Sequence, residues 1–405
     1  MLFGPRAASH KTHDSRVSFQ VAGTLRAAGT ECSRPGRLFC SSRGQKPTAR
    51  SHHVTSSQNR PLKHRSVSRG VLGIAVVVCG LTGFDRGFDQ SCTVSAEPSV
   101  AEPSVADLPA YHKASGEVAG SLKCVGSDTM NNLVALWAEG FKKHYPSVRE
   151  GIEGKGSASA PPALAEGTCT FGPMSRDWKP SEVDAFKSRH GYPPAVVPVA
   201  IDMIVVFVHK DNPLKSLSLQ QVDAIFSKNR TGGTIEDIRT WGDLGLDGGW
   251  KDRPISLYGR NATSGTYGYF KEFALFKGDF KPSVKEQPGS SAVVQAVASD
   301  RFGIGYSGFG YLTANVRAVP LAAAPESSPT PPIAEAAYAG DYPLARFLYL
   351  SVNHRPGTPL DPLRREFLRY VLSRDGQADV QKDGYLPLTV AVADQALAEV
   401  GVAAH

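Results

Sequence analysis

Four short turns along the chain combine small residues, hydroxyls and arginine in a pattern suited to holding an oxyanion. The most informative is Tyr258-Gly-Arg-Asn-Ala-Thr-Ser-Gly-Thr-Tyr267. Arg260 is followed four residues later by Ser264-Gly265-Thr266, and Tyr267, Phe270 and Ala274 then recur at helix spacing. The Ser-Gly-Thr is therefore expected at a helix N-terminus, where backbone N–H groups lack intrahelical partners and partial positive charge accumulates. Hydroxyls and a guanidinium beside such a terminus complete a cradle for a tetrahedral anion. Taken alone, the same residues also fit an ordinary N-cap beside a surface arginine.

The design recurs three times upstream. Gly126-Ser127-Asp128-Thr129-Met130 follows the strand-like Leu122-Lys-Cys-Val125 and opens a helix with Leu133, Leu136, Trp137 and Phe141 on one face. Gly154-Lys-Gly156-Ser157-Ala-Ser159 lies between Val148-Arg-Glu-Gly-Ile152 and Pro161-Pro-Ala-Leu-Ala, and proline is tolerated in a first helical turn. Phe171-Gly-Pro-Met-Ser175-Arg176 follows Cys169-Thr-Phe171. Each turn sits at the carboxyl end of a strand, where open α/β sheets bind ligands. Four such turns, two of them with an arginine, imply one convergent anion site.

The elements that must position these turns alternate. Strands are expected at 121–125, 148–152, 168–172 and 195–200, with helices at 129–143, 159–166 and 181–189. This alternation implies parallel sheet covered by helices. Asp202-Met-Ile-Val-Val-Phe-Val208 should cross into a second lobe, where Ser218 and Gln221 form a capping box for the helix Leu219 to Phe226. After the helix Ala292 to Val297, Gly303-Ile-Gly-Tyr306 is the expected return crossing. Residues 322–333 read as a loop, Phe347 to Val352 as a strand, and 361–373 and 390–399 as helices. The expected fold is α/β with two lobes: 118–203, then 204–305, with 306–405 completing the first. Two crossings make a hinge, with the ligand cleft between the lobes.

These motifs resemble the phosphate-binding protein family of the high-affinity phosphate ABC transporter. The resemblance rests on Gly126-Ser-Asp-Thr-Met, Gly156-Ser157, Gly172-Pro-Met-Ser-Arg176 and Arg260-Asn-Ala-Thr-Ser-Gly-Thr-Tyr267. It extends through Asp211-Asn-Pro, Gln221-Val-Asp-Ala-Ile-Phe226, Thr240-Trp-Gly-Asp-Leu244 and Tyr342-Pro-Leu-Ala-Arg-Phe347, from about Gly120 to Leu397. It implies a two-lobed, periplasmic-binding-protein-like architecture that closes on inorganic phosphate without covalent chemistry, uses no cofactor and delivers its ligand to membrane permease subunits as a monomer. Ser127, Asp128, Thr129, Ser157 and Ser175 would come from the first lobe, and Arg260, Ser264, Gly265 and Thr266 from the second.

Arg260 is expected to carry the main charge compensation through a bidentate contact. Arg176 either binds the anion or holds a neighbouring loop, and Arg346 is expected to be structural. The better-known branch of the family places a carboxylate after the third strand and another two residues beyond the arginine; here Ser175 and Ala262 occupy those positions. Asp128 stands where that branch has a threonine. It either accepts the phosphate proton or stabilises a helix N-terminus. A receptor for another oxyanion, such as sulfate or a phosphonate, remains an alternative. A phosphatase using Ser127 or Ser264 is disfavoured, since neither serine has a general base or metal cluster nearby in sequence.

Charge distribution removes a nucleic-acid reading. The chain of 405 residues carries +7 overall, but residues 1–95 hold 14 Lys and Arg against 4 Asp and Glu, and the remainder 31 against 34. Residues 1–64 are rich in Ser, Arg, Gly and His and are expected to be disordered, or to lie upstream of a start at a non-Met codon such as that of Val67. The basic flank at Arg69, the apolar run from Val71 to Phe84 and Val94-Ser-Ala96 mark 65–96 as a signal peptide, with a retained anchor as the alternative. Its apolar run is shorter than the ~20 residues of a membrane span. Export makes the expected location periplasmic. Residues 97–117 read as a linker. Of six cysteines, Cys32, Cys40, Cys79 and Cys92 fall in the leader. Cys124 and Cys169 remain, and a disulfide between them is expected because the first and third strands of such a lobe are commonly neighbours.

Overall fold

The computed structural model describes residues 103–234 and 236–403. The expected extension at 1–64 and signal peptide at 65–96, with their four cysteines, lie outside the described residues.

The first lobe begins with the parallel pair β1 (Gly120–Val125) and β2 (Val148–Glu153), linked by α1 (Asn131–His144). Leu133, Val134, Trp137, Ala138 and Phe141 form the buried face of α1, the 3.6-residue period expected of an amphipathic helix. A 3₁₀ turn at Ser157–Ser159 leads into α2 (Ala160–Glu166). β3 is only Gly172–Met174, later than the strand expected at 168–172. Thr170 explains the delay. Its Oγ1 accepts from Lys123 N at 3.1 Å and donates to Ser121 O at 2.8 Å while its own N–H donates to Lys123 O at 2.7 Å, so side chain and backbone share the pairing there and only the isolated bridge Cys124–Phe171 precedes β3. α3 (Pro180–His190) follows.

β4 is one strand from Ala195 to His209. Its first part pairs antiparallel with β11 (Ala345–Val352), and its second part pairs with β8 (Gly303–Gly308) and β9 (Val316–Val319). The crossing between lobes thus occurs inside a continuous strand. The second lobe contains β5 (Leu217–Ser218), α4 (Leu219–Phe226), β6 (Ser256–Arg260), α5 (Gly265–Phe273), β7 (Lys285–Gln287) and α6 (Ser290–Ser299). The expected capping box is present: Ser218 Oγ accepts from Gln221 N and Gln221 Oε1 from Ser218 N. β10 (Leu321–Ala322) and α7 (Ala334–Ala339) also belong to this lobe. α8 (Pro362–Val371), α9 (Arg374–Lys382) and α10 (Val390–Glu399) complete the first. The main sheet runs β3-β11-β4-β8-β6-β7, with β9 added beside β4.

Two large cores follow this division. One gathers Trp137, Phe141, Phe171, Val199, Phe367 and Leu397; the other gathers Phe207, Phe226, Trp241, Phe270, Tyr306 and Leu344. The second core continues through Val316, Val319, Leu321, Ala337 and Ala345. The expected return at 303–306 is therefore corrected: β8 still pairs with the second half of β4, and the chain re-enters the first lobe only along β11. Residues 103–117 do not form a free linker. Leu108 and Tyr111 are buried in the first core, and the Tyr111 hydroxyl donates to Glu366 at 3.0 Å.

The cysteine pair is also corrected. Cys124 and Cys169 are buried free thiols. Cys124 packs into the first core, whereas Cys169 packs with Val125, Leu164 and Phe186 in a separate cluster. Adjacent residues of a strand point to opposite faces, so sharing a face with Val125 places Cys169 across the sheet from Cys124. Burial raises both thiols above the ordinary cysteine value, Cys169 to about 11.

Candidate functional site

The four turns meet where the lobes face each other. Ser127, Thr129, Ser157 and Ser175 are buried on the first-lobe side, and Arg260, Ser264 and Thr266 on the second. Backbone bonds lock the first-lobe turns together. Ser127 N donates to Pro173 O at 2.8 Å, and Gly156 N to Gly126 O at 2.8 Å. Three hydroxyls then form a chain: Ser127 Oγ donates to Ser175 Oγ at 2.9 Å, and Ser175 Oγ lies 3.2 Å from Ser157 Oγ. Ser157 Oγ also accepts from Ser175 N at 3.0 Å.

The second lobe presents the start of α5. Ser264 is its N-cap, accepting from Thr266 N at 3.1 Å and Tyr267 N at 3.4 Å. Glycine is required at 265. A Cβ there would stand 2.3 Å from Ser157 Oγ and 2.4 Å from Ser175 Oγ. Gly156 repeats the requirement from the other side, with a φ of +98° and a Cβ position 2.5 Å from Thr263 O. Ala158 N donates to that carbonyl at 3.2 Å, and Thr129 Oγ1 meets Thr266 Oγ1 at 3.0 Å. Both lobes therefore place hydroxyls and a helix N-terminus against one small volume, an arrangement that stabilises negative charge.

Arg260 is 1% exposed. Its Nη2 pairs with Asp128 across the cleft, and Nη1 donates to Ser290 Oγ at 2.7 Å. The expected bidentate reach toward an anion is thus shared with protein partners. Nε has no protein partner among the described residues. Asp128 sits on the rim of the cleft, in a polar groove of about 650 Å³ with Asn131, Asn132, Ser290, Ser291 and Asp383. Burial raises the Asp383 carboxyl above its ordinary range.

Arg176 belongs elsewhere. Both of its Nη atoms donate to Glu182 of α3, at 2.9 and 2.7 Å, and Nη1 also donates to Asp177 O at 2.7 Å. Of the two readings left open by the sequence, this geometry takes the one in which Arg176 holds a loop. Arg346 moves the other way. It enters the cluster, donating to Asp202 Oδ2 at 2.7 Å and to Thr266 Oγ1 at 2.9 Å. The ion pairs Asp128–Arg260 and Asp202–Arg346 leave the site with balanced formal charge. Oriented donors and local dipoles, rather than an excess of cations, must then favour an anion.

Ser290 and Tyr306 were not legible as site residues. The Tyr306 hydroxyl accepts from Arg260 N at 3.2 Å. A signal for Ser290 was present: Gly289-Ser290-Ser291 follows β7 and opens α6, a fifth turn of the same design. It lacks an arginine and a strongly apolar strand before it.

Residues 112–375 match the PBP superfamily domain. Over 295 residues the chain is 55% identical to the phosphate-binding protein PstS of Pseudomonas aeruginosa, covering 73% of this chain and 91% of that protein. A solved structure from Clostridium perfringens, described as a phosphate ABC transporter substrate-binding protein with bound phosphate, matches with a TM-score of 0.56 at 27% identity. That match covers 67% of this chain and all of the other. An ABC-type phosphate transport receptor from Vibrio cholerae shares the fold, with a TM-score of 0.52 at 20% identity over 66% of this chain and 100% of that one. The chain therefore belongs to the PBP superfamily and, within it, to the PstS family of phosphate-binding proteins.

Proposed function

We propose that this chain is an extracytoplasmic receptor that captures inorganic phosphate between its lobes and delivers it to an ABC transporter. The observation that carries the reading is the approach of the α5 N-terminus to Ser157 and Ser175, so close that only glycine fits at 265. Serine and threonine hydroxyls can donate to phosphate oxygens in place of one another, while Arg260 supplies the main positive charge. Asp128 accepts a hydrogen bond from the phosphate P–O–H and repels the unprotonated oxygen of sulfate. The protein binds without turnover, since the serines are held by hydroxyl and backbone partners rather than by a general base.

In this reading the segment 65–96 directs export, or anchors the chain if retained, and the receptor works as a monomer docking on membrane permease subunits. None of the helices among the described residues is long and apolar enough to cross a membrane. Calorimetry tests the core of the proposal. Phosphate should bind at about −8 kcal/mol or better, which is a micromolar or tighter Kd. Absence of phosphate heat together with tight sulfate or phosphonate binding would replace phosphate by that anion. Steady release of phosphate from a monoester would make the chain an enzyme.

A further inference from the structure

Asp202 and Arg346 face each other across the β4–β11 ladder. They stand where both strands pass from one core to the other. On β4, Ile201 packs in the first core and Met203 in the second; on β11, Ala345 packs in the second and Phe347 against the first. The pair therefore marks the hinge line. Its side chains are 0% and 2% exposed.

The Arg346 guanidinium does more than neutralise Asp202. Nε and Nη2 donate to Asp202 Oδ2 at 3.1 and 2.7 Å. Nη1 donates to the Ser175 carbonyl in the first lobe, and Nη2 to Thr266 Oγ1 in the second. The guanidinium also lies 5.4 Å from the Tyr269 ring centre, on α5, whose hydroxyl donates to Ala345 O at 2.6 Å. Asp202 Oδ1 has no hydrogen-bond partner among the described residues. A buried carboxylate oxygen without a partner is unfavourable, so the pair is not explained as a device for stability alone.

We propose that Arg346, oriented by Asp202, is a positioning residue that couples anion occupancy to hinge closure. Its planar fork reaches Ser175 O and Thr266 Oγ1 together only when the lobes are closed, because each acceptor rides on a different lobe. Opening the cleft breaks at least one of these bonds. An anion bridging the Ser175 and Thr266 hydroxyls holds the same two positions, so ligand and guanidinium favour the same closed state, and the coupling is reciprocal. This rests on the phosphate-receptor reading above.

The test uses Arg346→Lys, which keeps a charge beside Asp202 but cannot span three acceptors with one planar group. Phosphate affinity is measured by calorimetry, and closure by the phosphate-induced fall in radius of gyration in solution scattering. The variant is expected to bind phosphate at least tenfold more weakly and to contract less than wild type at saturating phosphate. Equal contraction overturns the coupling, whatever the affinity, because Arg346 would then only line the site. If Arg346→Lys does not melt cooperatively, the double variant Asp202→Asn/Arg346→Gln, which leaves neither charge orphaned, carries the same measurement and the same two outcomes. A wild type that neither binds phosphate nor contracts overturns the phosphate reading itself.

Discussion

The β3–α3 and β6–α5 turns share a recipe, yet their arginines do different work. Arg176 and Arg260 each close a strand, sit among serines and are buried, at 7% and 1% exposure. Arg176 finds a carboxylate six residues away, on the first turn of α3, and both its Nη atoms are committed to it. Arg260 pairs instead with Asp128, 132 residues distant and on the opposite lobe. A guanidinium satisfied inside its own lobe braces that lobe. One that reaches across the cleft bonds the two lobes to each other.

Removing Arg260 should sharpen this contrast most. Arg260→Ala is expected to weaken phosphate binding by at least ~2 kcal/mol, since a buried anion loses its main counter-charge. Unchanged affinity by calorimetry would place Arg260 on the same footing as Arg176. Gly265→Ala comes next. The new methyl would overlap two serine hydroxyls, and overpacking of this kind costs about 1–3 kcal/mol. The loss should appear in phosphate affinity with the melting temperature nearly unmoved, because the clash lies between lobes rather than inside one. A melting temperature that falls as far as the affinity would show that the glycine serves folding.

Asp128→Asn addresses selectivity. Competition of sulfate against labelled phosphate should show the phosphate preference falling by roughly tenfold, about 1.4 kcal/mol, because an amide can donate to either anion. A ratio that does not move would leave Asp128 as a helix-end residue and pass the role to Asp202.

Arg176→Ala should change phosphate affinity least, by under ~0.5 kcal/mol. Its effect belongs to stability and to pH. Burial pushes the Glu182 carboxyl up, but hydrogen bonds from Arg176 and the Lys179 backbone, with the charges of both residues, outweigh it and hold the group below its ordinary value of 4.5. A depressed folded value means the contribution is fully present above the unfolded value and is lost as pH falls from there through the folded one. Acid unfolding of the wild type should therefore include a component below pH 4.5 that is smaller in Arg176→Ala. A large affinity loss in this variant would dissolve the distinction between the two turns.

Local rules made much of the molecule legible. The capping box at Ser218 and Gln221, the N-cap at Ser264 and the apolar face of α1 are dictated within a few residues, and each is where the pattern put it. Other features carry little local signal. The helix expected at 361–373 is α8, and Ser373, whose Oγ accepts from Gly376 N at 3.4 Å, caps a further helix, α9, at 374–382 that the apolar spacing does not announce. The mainly polar sequence of α9 carries little apolar signal of its own; its buried positions are Gly376, Gln377 and Val380. The late return crossing has no local signature, because Gly303 to Tyr306 and Ala345 to Val352 are both apolar strands and nothing nearby in sequence says which lobe each joins.

By itself the sequence determined the alternation of strands and helices, the hydroxyl turns at their ends and the family to which those turns point. These depend on spacing, capping and backbone freedom, which act over one or two helical turns. Only the tertiary structure decided which charges meet. Asp128 with Arg260, Asp202 with Arg346 and Cys169 on the far face of the sheet from Cys124 are separated along the chain by 132, 144 and 45 residues. Partners at such separations are chosen by how the strands cross between two cores, and no short-range pattern encodes that choice.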